Sequence, residues 1–462
     1  MSRLISAHRK PRGMSAGARA RGSGSLRKLA ALGASLALCY AGIAVVASAP
    51  AGATPSTLYV NNGTTTGNTD ASCGTATYST VQAAVTAASP GDTVYLCGTT
   101  PYLGQVIDST SITLTGDPGA SITAPSPWTA SNASLLPPQF TGEQPLVAPQ
   151  ALLVIWGSGV STTVRGLTIS GPLPGNGGCA VDEFGILVIG GAFANITGDN
   201  VTKIRDVTPS LIGCQFGVGI QVGRYYWPRD VAAPPHFTFQ VVGFTGTAQI
   251  TNSTVSGYQK GGIVVDGSGS SASISSDTVT GAGPTTIIGQ NGIQISRGAT
   301  ASVSHNAVSK NQYTGTGEAS ATGVLVYGGC TSPLTTNVSV VNNMLTTNDI
   351  GAALFNCGRI TTFTSPPSTK TQNSVVHNTI SNAARTNISG GYYLHTGCGF
   401  QAGVTDFGNH DAIKNNTISG AGYGPHTCTT GPPSAFLYPI NTATSAAVRE
   451  THNSLLTSGA SK

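Results

Sequence analysis

Charge is the scarcest property of this chain. Only 8% of its 462 residues are Asp, Glu, Lys or Arg, and Trp and Met occur three times each. The few charges are also unevenly placed. Arg3, Arg9, Lys10, Arg12, Arg19, Arg21, Arg27 and Lys28 all lie in the first 28 residues, where there is no acid. Without those eight, residues 54–462 keep 14 basic against 17 acidic residues, a balance of −3. A nucleic-acid partner needs a basic stripe, and none is present, so that class is set aside. No two Cys have C-x-x-C spacing, which argues against zinc ribbons and thioredoxin-like redox sites. The one sustained apolar run, Leu29–Ala47, is short and rich in Ala and Gly for a membrane span of ~20 residues. It follows the basic front and ends in small residues at Ala47-Ser48-Ala49 and Ala51-Gly52-Ala53, as in a secretory signal peptide. Cys39 lies inside the run beside Leu38, which argues against a lipid-anchored Cys. Residues 1–53 are therefore expected to be a signal peptide, the protein to be secreted, and stable membrane insertion is not expected.

What the chain has in abundance is Gly, Thr, Ser, Asn and Val, a composition that favours strands and tight turns. A short phrase also recurs: Asp199-Asn200-Val201, Ser253-Thr254-Val255, Asp277-Thr278-Val279, Asn306-Ala307-Val308, Asn343-Met344-Leu345, Asn378-Thr379-Ile380 and Asn416-Thr417-Ile418. A second phrase lies upstream of most copies: Gly185-Ile186, Gly219-Ile220, Gly262-Ile263, Gly292-Ile293 and Gly323-Val324. Recurring phrases in fixed order mark a solenoid, in which like positions of successive coils stack. Alternation around Ile263 and Ile293 puts Ile263, Val265, Ile293 and Ile295 inward and Val264, Asp266, Gln294 and Ser296 outward. The Asn or Asp of each phrase falls at a sharp corner, where left-handed backbone angles and bonds to neighbouring amides suit it. Its role is structural.

Phrase spacings are 54, 24, 29, 37, 35 and 38 residues, against roughly 22–30 for one coil. The excess is loop, chiefly at 124–150, 224–240 and 361–372, and the longest interval has room for an additional coil. A solenoid grows as one unit, so residues 54–430 read as one domain and 431–462 as a tail or last partial coil. Eight Cys follow Cys39. Paired in order, as Cys73–Cys97, Cys179–Cys214, Cys330–Cys357 and Cys398–Cys428, they are separated by 24, 35, 27 and 30 residues. Each separation is close to one turn. Stacked residues lie ~5 Å apart, within the reach of a disulfide, so sequential pairing is the expected connectivity.

Near the start, Thr57-Leu58-Tyr59-Val60 reads as a first strand. Ser79–Ala88 reads as a helix capped by Ser79, with Val81, Ala84, Val85 and Ala88 on one face. Pro90-Gly91-Asp92 ends it. Thr93-Val94-Tyr95-Leu96-Cys97 and Ile112-Thr113-Leu114-Thr115-Gly116 are further strands. This stretch, with the Gly-Ile and Asn-x-Ile phrases, resembles the right-handed parallel β-helix proteins of the pectin-lyase-like superfamily, in which a short helix caps the first coil. The resemblance covers nearly all of residues 57–430. It implies an all-β, single-stranded right-handed parallel β-helix with a short N-terminal capping helix. It does not define an activity, because lyases, hydrolases, esterases, epimerases and non-catalytic surface proteins share this fold.

Three places could carry chemistry. The loop Arg224-Tyr225-Tyr226-Trp227-Pro228-Arg229-Asp230, followed by His236 and Phe237, combines aromatics that stack on sugars with Arg that fixes carboxylates. The outward ladder after each Gly-Ile phrase holds Arg224, Asp266, Arg297 and Tyr327, with Glu183 and Lys260 at matching positions before the strands and Asp182 adjacent. A lyase of uronic polymers needs a base for the sugar C5 proton and a cation against the carboxylate. Asp266, Lys260 and Arg297 are the expected catalytic set, Arg224, Tyr225, Tyr226, Trp227 and Tyr327 the expected substrate contacts, and Asp182 and Glu183 the expected holders of Ca2+. A hydrolase would instead need two carboxylates at a defined separation. The third place is His395, Cys398, Gln401, Asp406, His410 and Asp411. Val404-Thr405-Asp406-Phe407-Gly408 is similar to the nucleophile segment of pectin methylesterases, but the partner Gln and Asp segments of that family have no counterpart upstream.

The signatures of polygalacturonase-like enzymes are not met either. Asn68-Thr69-Asp70 lies near the start rather than mid-solenoid, and neither Asp-Asp nor Gly-His-Gly occurs. The dense Asp cluster of Ca2+ pectate lyases is also missing. The sequence thus leaves two functional readings. One is a secreted lyase or hydrolase of acidic polysaccharide. The other is a non-catalytic extracellular β-helix protein that binds glycan or forms structure. In either case a monomer facing extracellular polysaccharide is expected.

Overall fold

A computed structural model describes residues 54–63, 66–128, 150–174, 179, 182–225, 244–315, 321–330, 332–358, 365–382, 401–420, 437–442 and 445–456. Residues 54–462 form one compact unit. Within it, three parallel sheets of 12, 10 and 11 strands run the length of the stack. The chain visits them in rotation and winds a single-stranded right-handed parallel β-helix. One coil, for example, consists of Gly261–Asp266 in the 10-stranded sheet, Ser271–Ser275 in the 12-stranded sheet and Thr278–Thr285 in the 11-stranded sheet. The next coil places Asn291–Ser296, Thr300–Ser304 and Ala307–Tyr313 beneath it, in register except for a shift between Thr280 and Gly283.

Alternation decides what the interior holds. Ile263, Val265, Ile293 and Ile295 lie in the continuous core, with Ile274, Val279, Val303 and Val308 from the other two sheets. Each such side chain contributes about 1.5–3 kcal/mol on burial. The Gly of each Gly-Ile phrase has a steric reason rather than a conformational one. A Cβ on Gly262 would lie 2.5 Å from the Gly292 carbonyl oxygen and 2.5 Å from Val279 Cγ1.

The Asn phrases form the corner between the 12- and 11-stranded sheets. The Oδ1 of Asn343 accepts from the Asn306 amide, that of Asn378 from Asn343, that of Asn416 from Asn378 and that of Asn453 from Asn416. Each Nδ2 donates to a carbonyl of the rung before, as Asn306 does to Ile274. The left-handed angles are carried by the residue before each phrase: Asn252, Ser276, His305, Asn342, His377, Asn415 and His452 have φ of 53–61°. The phrase residue supplies the side-chain bond instead.

Asp277 stands in this ladder where its successors have Asn. Its Oδ1 accepts from the Ser253 amide, and the Ser275 amide is the other group that favours its charged form. Burial raises its carboxyl to about 7. Asp277→Asn supplies the missing donor toward the Ile250 carbonyl, the counterpart of Ile274 one rung earlier. At pH 8 the variant is expected to be about 1–2 kcal/mol more stable than the parent, with little gain at pH 5, as read by denaturant unfolding.

Two expectations change. The helix spans Val81–Ala87 and its cap is Thr80, whose hydroxyl accepts from the Ala83 amide. Ser79 is one residue too early for that bond. The 54-residue interval contains no additional coil: Asn200–Thr202 pairs directly with Thr254–Ser256, and Ala192–Thr197 with Gly246–Thr251. The extra length lies in two connections, between Asn200–Thr202 and Val218–Val222, which contains the turn Pro209–Leu211, and between Val218–Val222 and Gly246–Thr251. Beyond residue 430, Leu437–Asn441, Arg449–Thr451 and Ser454–Leu456 add one rung to each sheet.

Cys73–Cys97, Cys179–Cys214 and Cys330–Cys357 are joined, with Cα separations of 5.7, 5.2 and 5.1 Å. Cys398 and Cys428 lie outside the described residues, as do residues 1–53. Non-reducing peptide mapping is expected to return Cys398–Cys428 as the fourth link; a cross-link between distant coils would contradict sequential pairing.

Candidate functional site

The outward face of the 10-stranded sheet carries most of the predicted site residues. Its character changes along the stack. Toward the N-terminus it is mostly apolar: Ile107, Val154 and Leu187 lie in successive rungs and Val264 follows one rung beyond the buried Gln221; these apolar side chains pack with Phe184, Val218 and Phe244 and are buried. These positions point away from the solenoid core yet are not solvated, which alternation alone could not indicate.

Further along, the face becomes polar and its side chains form one chain of hydrogen bonds. Thr322 Oγ1 donates to Asn291 Oδ1, and Asn291 Nδ2 donates to Gln294 Oε1. Gln294 Nε2 donates to Ser296 Oγ, which donates to Asp266 Oδ1 at 2.7 Å. Arg297 Nη1 reaches both Asp266 oxygens at 2.9 and 3.0 Å, and the Tyr225 amide donates to Asp266 Oδ2. The Arg297 guanidinium also lies 5.8 Å from the Tyr225 ring centroid and 5.9 Å from that of Tyr327. Asp266 and Ser296 are almost fully buried, whereas 28% of the Arg297 side chain is exposed. The carboxylate therefore orients the cation, and Arg297 faces outward.

The position of Arg297 has a backbone signature. It follows Ser296, which pairs with Asp266, and so stands one rung below Gly267. Gly267 has φ +88° and Arg297 has φ +53°. A non-glycine residue in the left-handed region costs about 1–2 kcal/mol. Such strain at a candidate site motivates a functional reading. Arg224 stands where Gly267 and Gly190 stand on neighbouring rungs, without the left-handed backbone of Arg297. It pairs with Asp182 and lies 5.3 Å from the Phe184 ring centroid.

The other predicted residues are placed elsewhere. Lys260 precedes Gly261–Asp266, six residues from Asp266 along an extended strand, which is roughly 20 Å. Its Nζ donates to the Gly289 carbonyl, and burial lowers its pKa to about 8. It does not meet the Asp266–Arg297 pair. Asp182 and Glu183 have separate partners: Asp182 is held by Arg224, while Glu183 is buried against Asp206. Burial, and then the Asp206 charge, push Glu183 to about 8. Asp182 is thus engaged by a cation and Glu183 by a second acid. Among the described residues, no three His, Cys, Asp or Glu side chains converge as a metal would need.

Tyr226, Trp227, His395 and Cys398 lie outside the described residues. Asp406 and Asp411 face each other, fully buried; burial, then the Asp411 charge, hold Asp406 well above the ordinary carboxyl range. A fully buried pair has no route to substrate.

Sequence reasoning passed over Asn291 and Thr322. A signal existed. Ahead of each Gly, the stack reads Phe184, Val218, Gly261, Asn291, Thr322 and Ile350, so only these two side chains are polar and they are adjacent.

No family model matches this chain, and no curated protein matches it. Among solved structures, it is similar to the Dettilon tailspike protein, with 14% identity, a TM-score of 0.38 and coverage of 78% of this chain. It spans 62% of that tailspike's length. It is also similar to the periplasmic alginate epimerase AlgG, with 12% identity, a TM-score of 0.33 and coverage of 79% of this chain and 77% of that one. A third is the Yersinia enterocolitica family 28 exopolygalacturonase, with 12% identity, a TM-score of 0.30 and coverage of 89% and 79%. The class of protein is set by the sheets themselves: a parallel β-helix, as the recurring phrases implied.

Proposed function

We propose that this is a secreted, monomeric β-helix protein that binds extracellular polysaccharide carrying carboxylates along the outward face of its 10-stranded sheet. One observation carries the reading. Asp266 engages only Nη1 of Arg297, and the rest of this partly exposed guanidinium makes no hydrogen bond to another described residue. An Arg fork held from behind by a buried carboxylate is suited to a uronate carboxylate, and the half-buried Tyr327 flanks it with aromatic surface for a sugar ring, while Tyr225 is buried beside it. The signal-like N-terminus and the disulfides support an extracellular setting.

The placement of Lys260 favours binding over cleavage. A base for the C5 proton must lie within hydrogen-bond reach of the same sugar whose carboxylate is neutralised, and Lys260 is several rungs' width away. Its lowered pKa nevertheless keeps the lyase reading testable. The purified protein would be incubated with uronic and neutral polysaccharides, with and without EDTA, following unsaturated products, new reducing ends and retention on the polymer. Retention on uronic polymers without products is expected. Products lost in Lys260→Ala would replace binding with lyase chemistry, and neither products nor retention would end both readings.

A further inference from the structure

The 12-stranded sheet presents an outward face of a different kind. Its outward positions form two ladders in register. Phe193, Thr247, Ser271 and Thr300 stack in one, and Asn195, Gln249, Ser273, Ser302 and Ser339 in the next. No charge occurs in either. Together they line an open trough of about 530 Å³ that crosses the strands from Phe193 to Ser339. Beneath the side chains the floor is small, with Ala248, Ala272 and Ala301 at the intervening inward positions. Gln249, Ser273 and Ser302 are exposed and make no hydrogen bond to another described residue, and Phe193 is one of the few large apolar side chains left exposed.

We infer that this trough is a second binding surface, distinct from the Arg297 face, for an extended neutral polysaccharide lying along the solenoid axis. The occupant follows from the chemistry of the lining. Without charge, the trough has no attraction for anionic polymers, nucleic acid or a charged membrane. Its hydroxyls and amides both donate and accept, as sugar hydroxyls do. Phe193 offers an apolar plate for a sugar face. The trough is open and spans five strands, about 19 Å at the rung spacing, so it suits a linear chain and repeats similar groups at each rung. A single exposed aromatic among hydroxyls is too little apolar surface for a protein partner.

The test is affinity electrophoresis of the intact protein in gels containing hydroxyethylcellulose, a neutral glucan derivative, and in parallel gels containing polygalacturonate. Retardation by hydroxyethylcellulose is expected, unchanged between low and high NaCl because no charge is involved. Phe193→Ala and Ser273→Arg should each weaken it at least tenfold and leave retardation by polygalacturonate intact. Ser273→Arg changes an exposed position and leaves the core alone, and far-UV circular dichroism checks the fold of both. Arg297→Ala should do the reverse. No retardation by hydroxyethylcellulose, or retardation kept in both trough variants, overturns the inference. Loss of polygalacturonate binding alone bears only on the Arg297 face.

Discussion

The protein is expected to lose stability steeply between pH 5 and pH 8, with an apparent Tm lower by about 10 °C or more at the upper end. The cause is a set of buried carboxyls whose charged forms the fold disfavours. Burial raises Asp108 to about 6, Asp199, Asp277 and Asp349 to about 7, and Glu183, with the Asp206 charge added, to about 8. Unfolded, these groups titrate near 4. Between the two values the folded chain holds protons that the unfolded chain has released, so stability falls as pH rises. The contribution is complete below about pH 4 and exhausted above about pH 8. A tenfold change in proton affinity between the folded and unfolded chain is worth about 1.4 kcal/mol. Even a third of the total over these five carboxyls exceeds 5 kcal/mol, at about 2 °C per kcal/mol for a chain of this size. Lys260 acts with the opposite sign, since its pKa is lowered to about 8, but only above that value. Scanning calorimetry across the range checks this. A flat or rising Tm from pH 5 to 8 would show that these carboxyls are hydrated.

Gly262→Ala is expected to cost about 3 kcal/mol or more. The added Cβ has two neighbours at 2.5 Å, the Gly292 carbonyl oxygen and Val279 Cγ1, and the oxygen belongs to a strand hydrogen-bonded into the next rung. Relief requires moving one coil against another, so the cost exceeds that of ordinary overpacking. Gly74→Ala is the control. A Cβ there would meet nothing within 4 Å, and its effect should stay within about 0.5 kcal/mol. Equal effects of the two would remove the steric reason given for the Gly-Ile phrase.

The phrases made the solenoid legible because stacking forces like residues onto like positions. In a solenoid Ile263 and Ile293 have to share a row, and so do Asn306 and Asn343. What lies on the outside was harder to read. Alternation shows that Val264 points outward, but not that Phe184, Leu187 and Phe244 pack with it. Lys260 and Asp266 are close in sequence, which suggested a shared site, yet an extended strand carries them far apart. Glu183 finds its partner in Asp206, in a different part of the coil, and no spacing rule announces that. The 54-residue interval shows the same limit, since length alone cannot separate a loop from a coil.

The central claim is that Arg297, held by Asp266, is the anion contact of a glycan-binding face. Isothermal titration of an oligogalacturonate at low salt measures it most directly. Arg297→Ala should weaken binding about tenfold or more, the loss of one charge-assisted contact of about 1.5–3 kcal/mol. Arg297→Lys should recover only part of it, because an ammonium lacks the fork. Unchanged affinity in Arg297→Ala, in a protein of unchanged fold, would contradict the account.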